Sequence, residues 1–137
     1  MSGVVIDSSI GLSWCFEDEA APEIDALFER VRDEGGIVPG LWYLEMGNAL
    51  LAAERRGRIG AGEVAVRLDL MAELPIAVDA ETTLRAWREI LAIARAEGLT
   101  TYDASYLELA VRRGLPLLTK DGALAGAARR LGVAVLP

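Results

Sequence analysis

Apolar residues along this chain follow two rhythms. Five short runs are almost wholly apolar: Gly3-Val4-Val5-Ile6, Ile37-Val38, Pro75-Ile76-Ala77-Val78, Leu115-Pro116-Leu117-Leu118-Thr119 and Val133-Ala134-Val135-Leu136. Runs of this length and character predict strands covered on both faces. Between them lie longer stretches rich in alanine and leucine, which predict helices over Ser8–Phe16, Pro22–Glu34, Leu41–Arg56, Ala61–Leu74, Ala80–Glu97, Tyr102–Arg113 and Gly122–Leu131. The punctuation agrees, because Gly35-Gly36 and Pro39-Gly40 break the chain and Gly57, Gly98 and Gly114 each follow a predicted helix. Strands that alternate with helices need crossover connections, and these produce parallel pairing. The predicted fold class is therefore α/β: one three-layer domain, residues 1–137, with a short-stranded, mostly parallel sheet of about five strands between helices.

Composition narrows the chemistry. With 53% hydrophobic and 26% charged residues, the chain has the make-up of a globular domain and not of a disordered one. Its apolar runs are too short and interrupted to cross a membrane. The start, Met1-Ser2-Gly3-Val4-Val5-Ile6-Asp7, lacks a basic segment and predicts no secretory signal. Cys15 is the only cysteine, which rules out an internal disulfide and points to a reducing, cytoplasmic setting. There is no histidine. That excludes a Ser-His-Asp or Cys-His catalytic unit and any zinc site built on imidazole. Proton transfer then falls to carboxylates or to water activated by a metal. The net charge of −7 repels phosphate overall, so contact with nucleic acid needs local basic patches and neutralising cations. Apart from Lys120, every basic residue is arginine, the side chain suited to bidentate contact with phosphate, although genomic composition explains such a bias equally well.

In parallel sheets, ligands bind beyond the carboxyl ends of the strands. Asp7 follows the first predicted strand and Asp121 the fourth, and each also suits the N-cap of the helix after it. Glu45 and Asn48 share a helix face with Leu41 and Ala52, flanked by Leu44 and Leu51. A carboxylate on such a face either lies at a wet helix edge or needs a partner, a proton or a metal. Asp103 heads a stripe continued by Leu107, Ala110 and Val111. It suits a helix N-terminus electrostatically, but capping by Thr100 or Thr101 would free it for another task. Convergence of these four acids in one cleft requires cations or protons to offset their repulsion. Oxygen-only ligands select hard divalent ions such as Mg²⁺ or Mn²⁺, and such a centre suits hydrolysis of phosphodiester bonds.

The segments carrying these acids resemble the PIN domain, and specifically the VapC toxins of bacterial and archaeal toxin–antitoxin pairs. They are Val4-Val5-Ile6-Asp7-Ser8-Ser9, Pro39 through Leu50 with Glu45 and Asn48, Leu99 through Ala110 with Tyr102-Asp103-Ala104-Ser105-Tyr106, and Leu117-Leu118-Thr119-Lys120-Asp121. The likeness spans nearly the whole chain, and Gly132-Val133-Ala134-Val135-Leu136 closes it. It implies that Asp7, Glu45, Asp103 and Asp121 form an acidic quartet that binds Mg²⁺ or Mn²⁺ and activates the attacking water. It implies further that Asp7 and Asp103 are the most direct ligands, that the Thr119 hydroxyl orients the centre, that Ser8 or Ser9 assists, and that Asn48 stands beside the glutamate. The implied activity is endonucleolytic cleavage of RNA, and the implied partners are an antitoxin and a second copy of the chain. The aromatic residues Trp14, Trp42, Tyr43 and Trp87 suit such an association if they lie outside, and an ordinary core if they lie inside. Arg55-Arg56-Gly57-Arg58, Arg112-Arg113 and Arg129-Arg130 are candidate phosphate contacts or plain solvated helix ends.

Other readings fit the residues less well. A phosphoacceptor signalling domain needs paired acids after its first strand, where Asp7 is followed by Ser8-Ser9. A phosphatase of the haloacid-dehalogenase type needs an aspartate where Ser9 stands. A nuclease on this fold with no antitoxin, and a non-catalytic binding protein on it, remain as alternatives.

Overall fold

The computed structural model describes residues 3–137, so the first two residues of the predicted start lie outside the described residues. Five strands form one sheet: β1 (Val4–Ile6), β2 (Gly36–Val38), β3 (Ile76–Val78), β4 (Leu117–Leu118) and β5 (Val135–Leu136), in the order β3-β2-β1-β4-β5. Every pairing is parallel. The helices are α1 (Ser8–Ser13), α2 (Pro22–Glu34), α3 (Leu41–Arg55), α4 (Ala61–Ala72), α5 (Thr82–Arg85), α6 (Leu91–Glu97), α7 (Thr101–Arg113) and α8 (Gly122–Arg130). They flank the sheet in three layers, as predicted.

Most of the strands are shorter than predicted, and β4 most of all, because only Leu117 and Leu118 of its apolar run pair. The residues beyond the paired ones leave the ladder, and those at the carboxyl ends of β1 and β4 include candidate acids. The predicted helix Ala80–Glu97 is instead α5 and α6 joined by a π-helical turn, Ala86–Ile90. A π-turn accommodates one extra residue, which the 3.6-residue period cannot reveal. The predicted first helix ends at Ser13, and the chain re-forms as a 3₁₀ turn over Glu17–Glu19. Gly98 and Gly114 close α6 and α7 in the left-handed region, with φ of 68° and 64°, where a side chain would be strained.

The core is built on β1. Val4, Val5 and Ile6 are fully buried, because β1 has a strand on each side and α7 packed against it. The chain also changes direction beside β1, since β2 lies on one side and β4 on the other. This switch point is where open α/β sheets form a crevice. α1 leaves that point and packs closely on α3. A Cβ on Gly11 would stand 2.7 Å from the Met46 Sδ and 3.0 Å from the Trp42 ring, so glycine is what permits the approach.

The structure corrects the reading of α3. Its buried stripe is Trp42, Met46, Leu50 and Ala53, whereas Leu44 is 78% exposed and Asn48 is exposed. Glu45 therefore stands at the margin of the core and does not interrupt an apolar face. The aromatic residues divide: Trp14 and Trp42 are buried, while Trp87 is 90% exposed and Tyr43 half exposed.

Candidate active site

Asp7 lies at the carboxyl end of β1, directly at the switch point, and is only 4% exposed. It occupies the N-cap position of α1 but makes no side-chain cap bond. Its Oδ2 instead accepts the hydroxyls of Ser9 and Thr119, each at 2.7 Å. Thr119 is buried just beyond β4, and its own Oγ1 accepts the Asp121 N–H at 3.0 Å. The two strand ends that flank the crevice are thus joined through one carboxylate oxygen. No hydrogen bond reaches Asp7 Oδ1 among the described residues.

The other acids show the same division of labour. Asp121 caps α8, with Oδ1 accepting the Leu124 N–H at 2.9 Å, which leaves Oδ2 open. Tyr106 is fully buried on α7 and donates its hydroxyl to Glu45 Oε1, which leaves Oε2 open. Thr100 caps α7 by accepting the Asp103 N–H at 3.1 Å, so the Asp103 carboxylate is free of that duty. Each of the four carboxylates has at least one oxygen with no hydrogen bond from the described protein.

The four groups sense one another. Burial pushes the Asp103 carboxyl up to about 6, and the charges of Asp7, Asp121 and Glu45 add to that push. Burial also raises Glu45; the Tyr106 hydroxyl opposes this and the charge of Asp7 adds to it. Such mutual repulsion is expected of carboxylates sharing one site without a cation. Among the described residues, no three acidic or cysteine side chains are already gathered as a ligand cage. The donor set itself fits a hard divalent cation: oxygen only, negative, and open at one oxygen per group.

The raised Asp103 pKa fixes a sign. Its folded value lies above the ordinary 3.8, so between about pH 4 and 6 the folded chain holds more protons than the unfolded one. The metal-free protein should therefore lose stability as pH rises through that window. Mn²⁺ should reverse the loss, so the rise in melting temperature that it causes should be larger at pH 8 than at pH 5. At a hundred times its dissociation constant, a cation bound only by the folded chain adds about 2.7 kcal/mol. Thermal melts at the two pH values, with and without Mn²⁺, read both effects. A shift of equal size at both would place the cation elsewhere.

Several of the candidate arginines are ion-paired in the folded chain. Arg112 is held by Asp79, Glu108 and Glu81. Arg130 pairs with Glu97, and Arg58 with Asp18 and Glu19. Sequence reasoning gave no role to Tyr106, although it sits inside the motif around Asp103. Its signal was a tyrosine on the buried stripe of α7, where a hydroxyl must find an acceptor.

The family model for the PIN domain matches residues 4–130. No curated protein sequence matches the chain. Among solved structures, PAE2754 from Pyrobaculum aerophilum is similar at 25% identity and a TM-score of 0.72, over 98% of this chain and 83% of that one. FitAcB from Neisseria gonorrhoeae is similar in fold at 18% identity and a TM-score of 0.65, over 98% of this chain and 96% of that one. With a family match running from β1 to the end of α8 and a parallel five-stranded sheet in the order 3-2-1-4-5, this chain belongs to the PIN domain family.

Proposed function

We propose that the chain is a metal-dependent endoribonuclease, the toxin of a VapBC-type pair. PIN domains are generally metal-dependent nucleases and are often the toxins of toxin–antitoxin systems. The reading is supported by Asp7, Glu45, Asp103 and Asp121, four acids on four separate elements, with the charges of the other three felt at Asp103. Asp7, Asp103, Asp121 and Glu45 would hold Mg²⁺ or Mn²⁺. Bound there, a divalent ion supplies positive charge that activates an attacking water and offsets the charge building at phosphorus.

The protein's own groups then have distinct tasks. Thr119 and Ser9 fix the Asp7 carboxylate by two hydroxyl donors on one oxygen. Tyr106 holds Glu45 with a single hydroxyl. Burial and the neighbouring acidic charges push Asp103 up to about 6, which suits it to take or release a proton. Self-association and antitoxin capture draw support from apolar side chains left outside: Tyr43 and Leu44 on α3, and Val66, Leu68 and Leu70 on α4. These helices also border an apolar cleft of about 350 Å³ lined by Trp42, Met46 and Met71.

The test is cleavage of a mixed pool of cellular RNA by purified protein in Mg²⁺, in Mn²⁺ and in chelator. Cuts in either metal that vanish in chelator are expected, and light scattering of the same sample should find a pair of chains. Absence of cleavage in both metals by protein free of any co-purified partner would leave a scaffold that only binds.

A further inference from the structure

The chain carries 14 basic residues against 21 acidic ones, yet three of the basic residues share one cavity of about 270 Å³. They are Arg56, Arg58 and Lys120, the only lysine. Ser9 lines the same cavity. Its hydroxyl donates to Asp7 at 2.7 Å and accepts the Lys120 N–H at 2.9 Å. One serine hydroxyl therefore separates this cationic groove from the acidic centre.

Two of the cations are already oriented. The Arg58 guanidinium lies over the Phe16 ring, 3.8 Å from its centroid, with Nη2 at 2.9 Å from Asp18 and 3.0 Å from Glu19. Lys120 Nζ is 3.1 Å from Glu19 Oε1 and 3.1 Å from the Ser13 hydroxyl. Glu19 thus bridges two cations at once, in the position a phosphate oxygen would take. Arg56 is exposed and enters no ion pair among the described residues. Pairs as exposed as these contribute little and exchange readily.

We propose that this groove holds the phosphodiester one nucleotide away from the cut, gripped by Arg56, Arg58 and Lys120, with Glu19 filling the anion position until the strand arrives. The proposal rests on the nuclease reading above. Because Ser9 both lines the groove and donates to Asp7, a strand with one phosphate at the acidic centre would have this groove beside its neighbouring phosphate. Arginine forks match phosphate oxygens in pairs, and the lysine adds a point charge.

The experiment measures binding of a fluorescently labelled single-stranded RNA by anisotropy across a salt series. The parent is the Asp7→Asn chain in Mg²⁺, which the nuclease reading expects not to cut. Adding Lys120→Ala or Arg56→Ala should weaken binding severalfold and lower the salt slope by about 0.7 for each phosphate no longer gripped. Lys120→Ala keeps the backbone N–H that reaches Ser9, so the centre is left in place. Glu19→Gln should tighten binding. Arg129→Ala, exposed on α8, should change nothing. Unchanged slopes for both Lys120→Ala and Arg56→Ala overturn the groove. So does a glutamate peptide that competes as well as unlabelled RNA, which assigns the groove to an acidic partner. If the wild-type chain cuts RNA in Mn²⁺ while the slopes stay unchanged, the groove fails alone. If it neither cuts nor binds RNA, the nuclease reading fails and the groove falls with it.

Discussion

Asp7→Asn should lower metal-dependent RNA cleavage by at least about a hundredfold, the scale of removing one key electrostatic group from a reacting centre. The chain should fold as before. Both hydroxyls that reach Asp7 land on one oxygen, and an asparagine carbonyl can accept them in the same place. The change removes one unit of charge from a crowded set, so the metal-free variant should be at least as stable as the parent. Asp103 should titrate lower than its present value of about 6, because the charge of Asp7 helps hold it there. Its titration, followed by NMR, separates the electrostatic account from a general loss of structure. Near-normal turnover by folded Asp7→Asn protein would falsify the assignment of Asp7.

The second large effect lies away from the candidate centre. Arg112 makes a two-pronged contact with Asp79, at 3.1 and 2.7 Å, while its Nε stands 3.0 Å from Glu108. The Asp79 side chain is fully buried and that of Glu108 nearly so. Burial alone would raise the Asp79 carboxyl, but the bonds from Arg112 and Thr82 outweigh it and bring it to about 2. Arg112→Ala strands two buried carboxylates, and breaking a buried pair from one side costs about 3–5 kcal/mol. Arg113, 3.7 Å from Asp79, offers only partial relief. Urea unfolding should show the loss at neutral pH. Acid changes the comparison, since the wild-type benefit exists above the ordinary carboxylate value and fades as pH falls from about 4 to 2. The gap between the two proteins should therefore narrow in acid. A cost below about 1 kcal/mol at neutral pH would show that solvent already screens the cluster.

The contrast between these two sites shows what the sequence made legible. Asp7 announced itself by position, a carboxylate ending a run of three apolar strand residues. Asp103 did so by heading a core stripe with a threonine ready to cap in its stead, and Thr100 does cap. The helix Pro22–Glu34 was legible to the residue, because proline opens it and glycines close it. The Asp79–Glu108–Arg112 cluster was not. Its members lie 33 and 4 residues apart, and only the folded chain brings the end of β3 against α7. Arg112 read as a phosphate contact or a solvated helix end, and nothing in the local pattern tied it to Asp79 or Glu108. The face of α3 was misread because leucine at positions 44 and 51 suggested an inside that burial of Trp42 and Met46 contradicts. Local pattern reports which residues suit a strand end, whereas long-range pairing decides which charges end up satisfied.

The strand order also governs when the candidate site can be completed as the chain is made. β1 pairs with β2 on one side, Val5 beside Ile37, and gains its second neighbour only when β4 joins it, Val5 beside Leu117. The oxygen of Asp7 that Ser9 reaches from two residues away is reached by Thr119 from 112 residues away. Contacts of such separation form late and slowly. A growing chain halted before Thr119 therefore holds Asp7, Glu45 and Asp103 but neither the hydroxyl that anchors the first nor the fourth carboxylate.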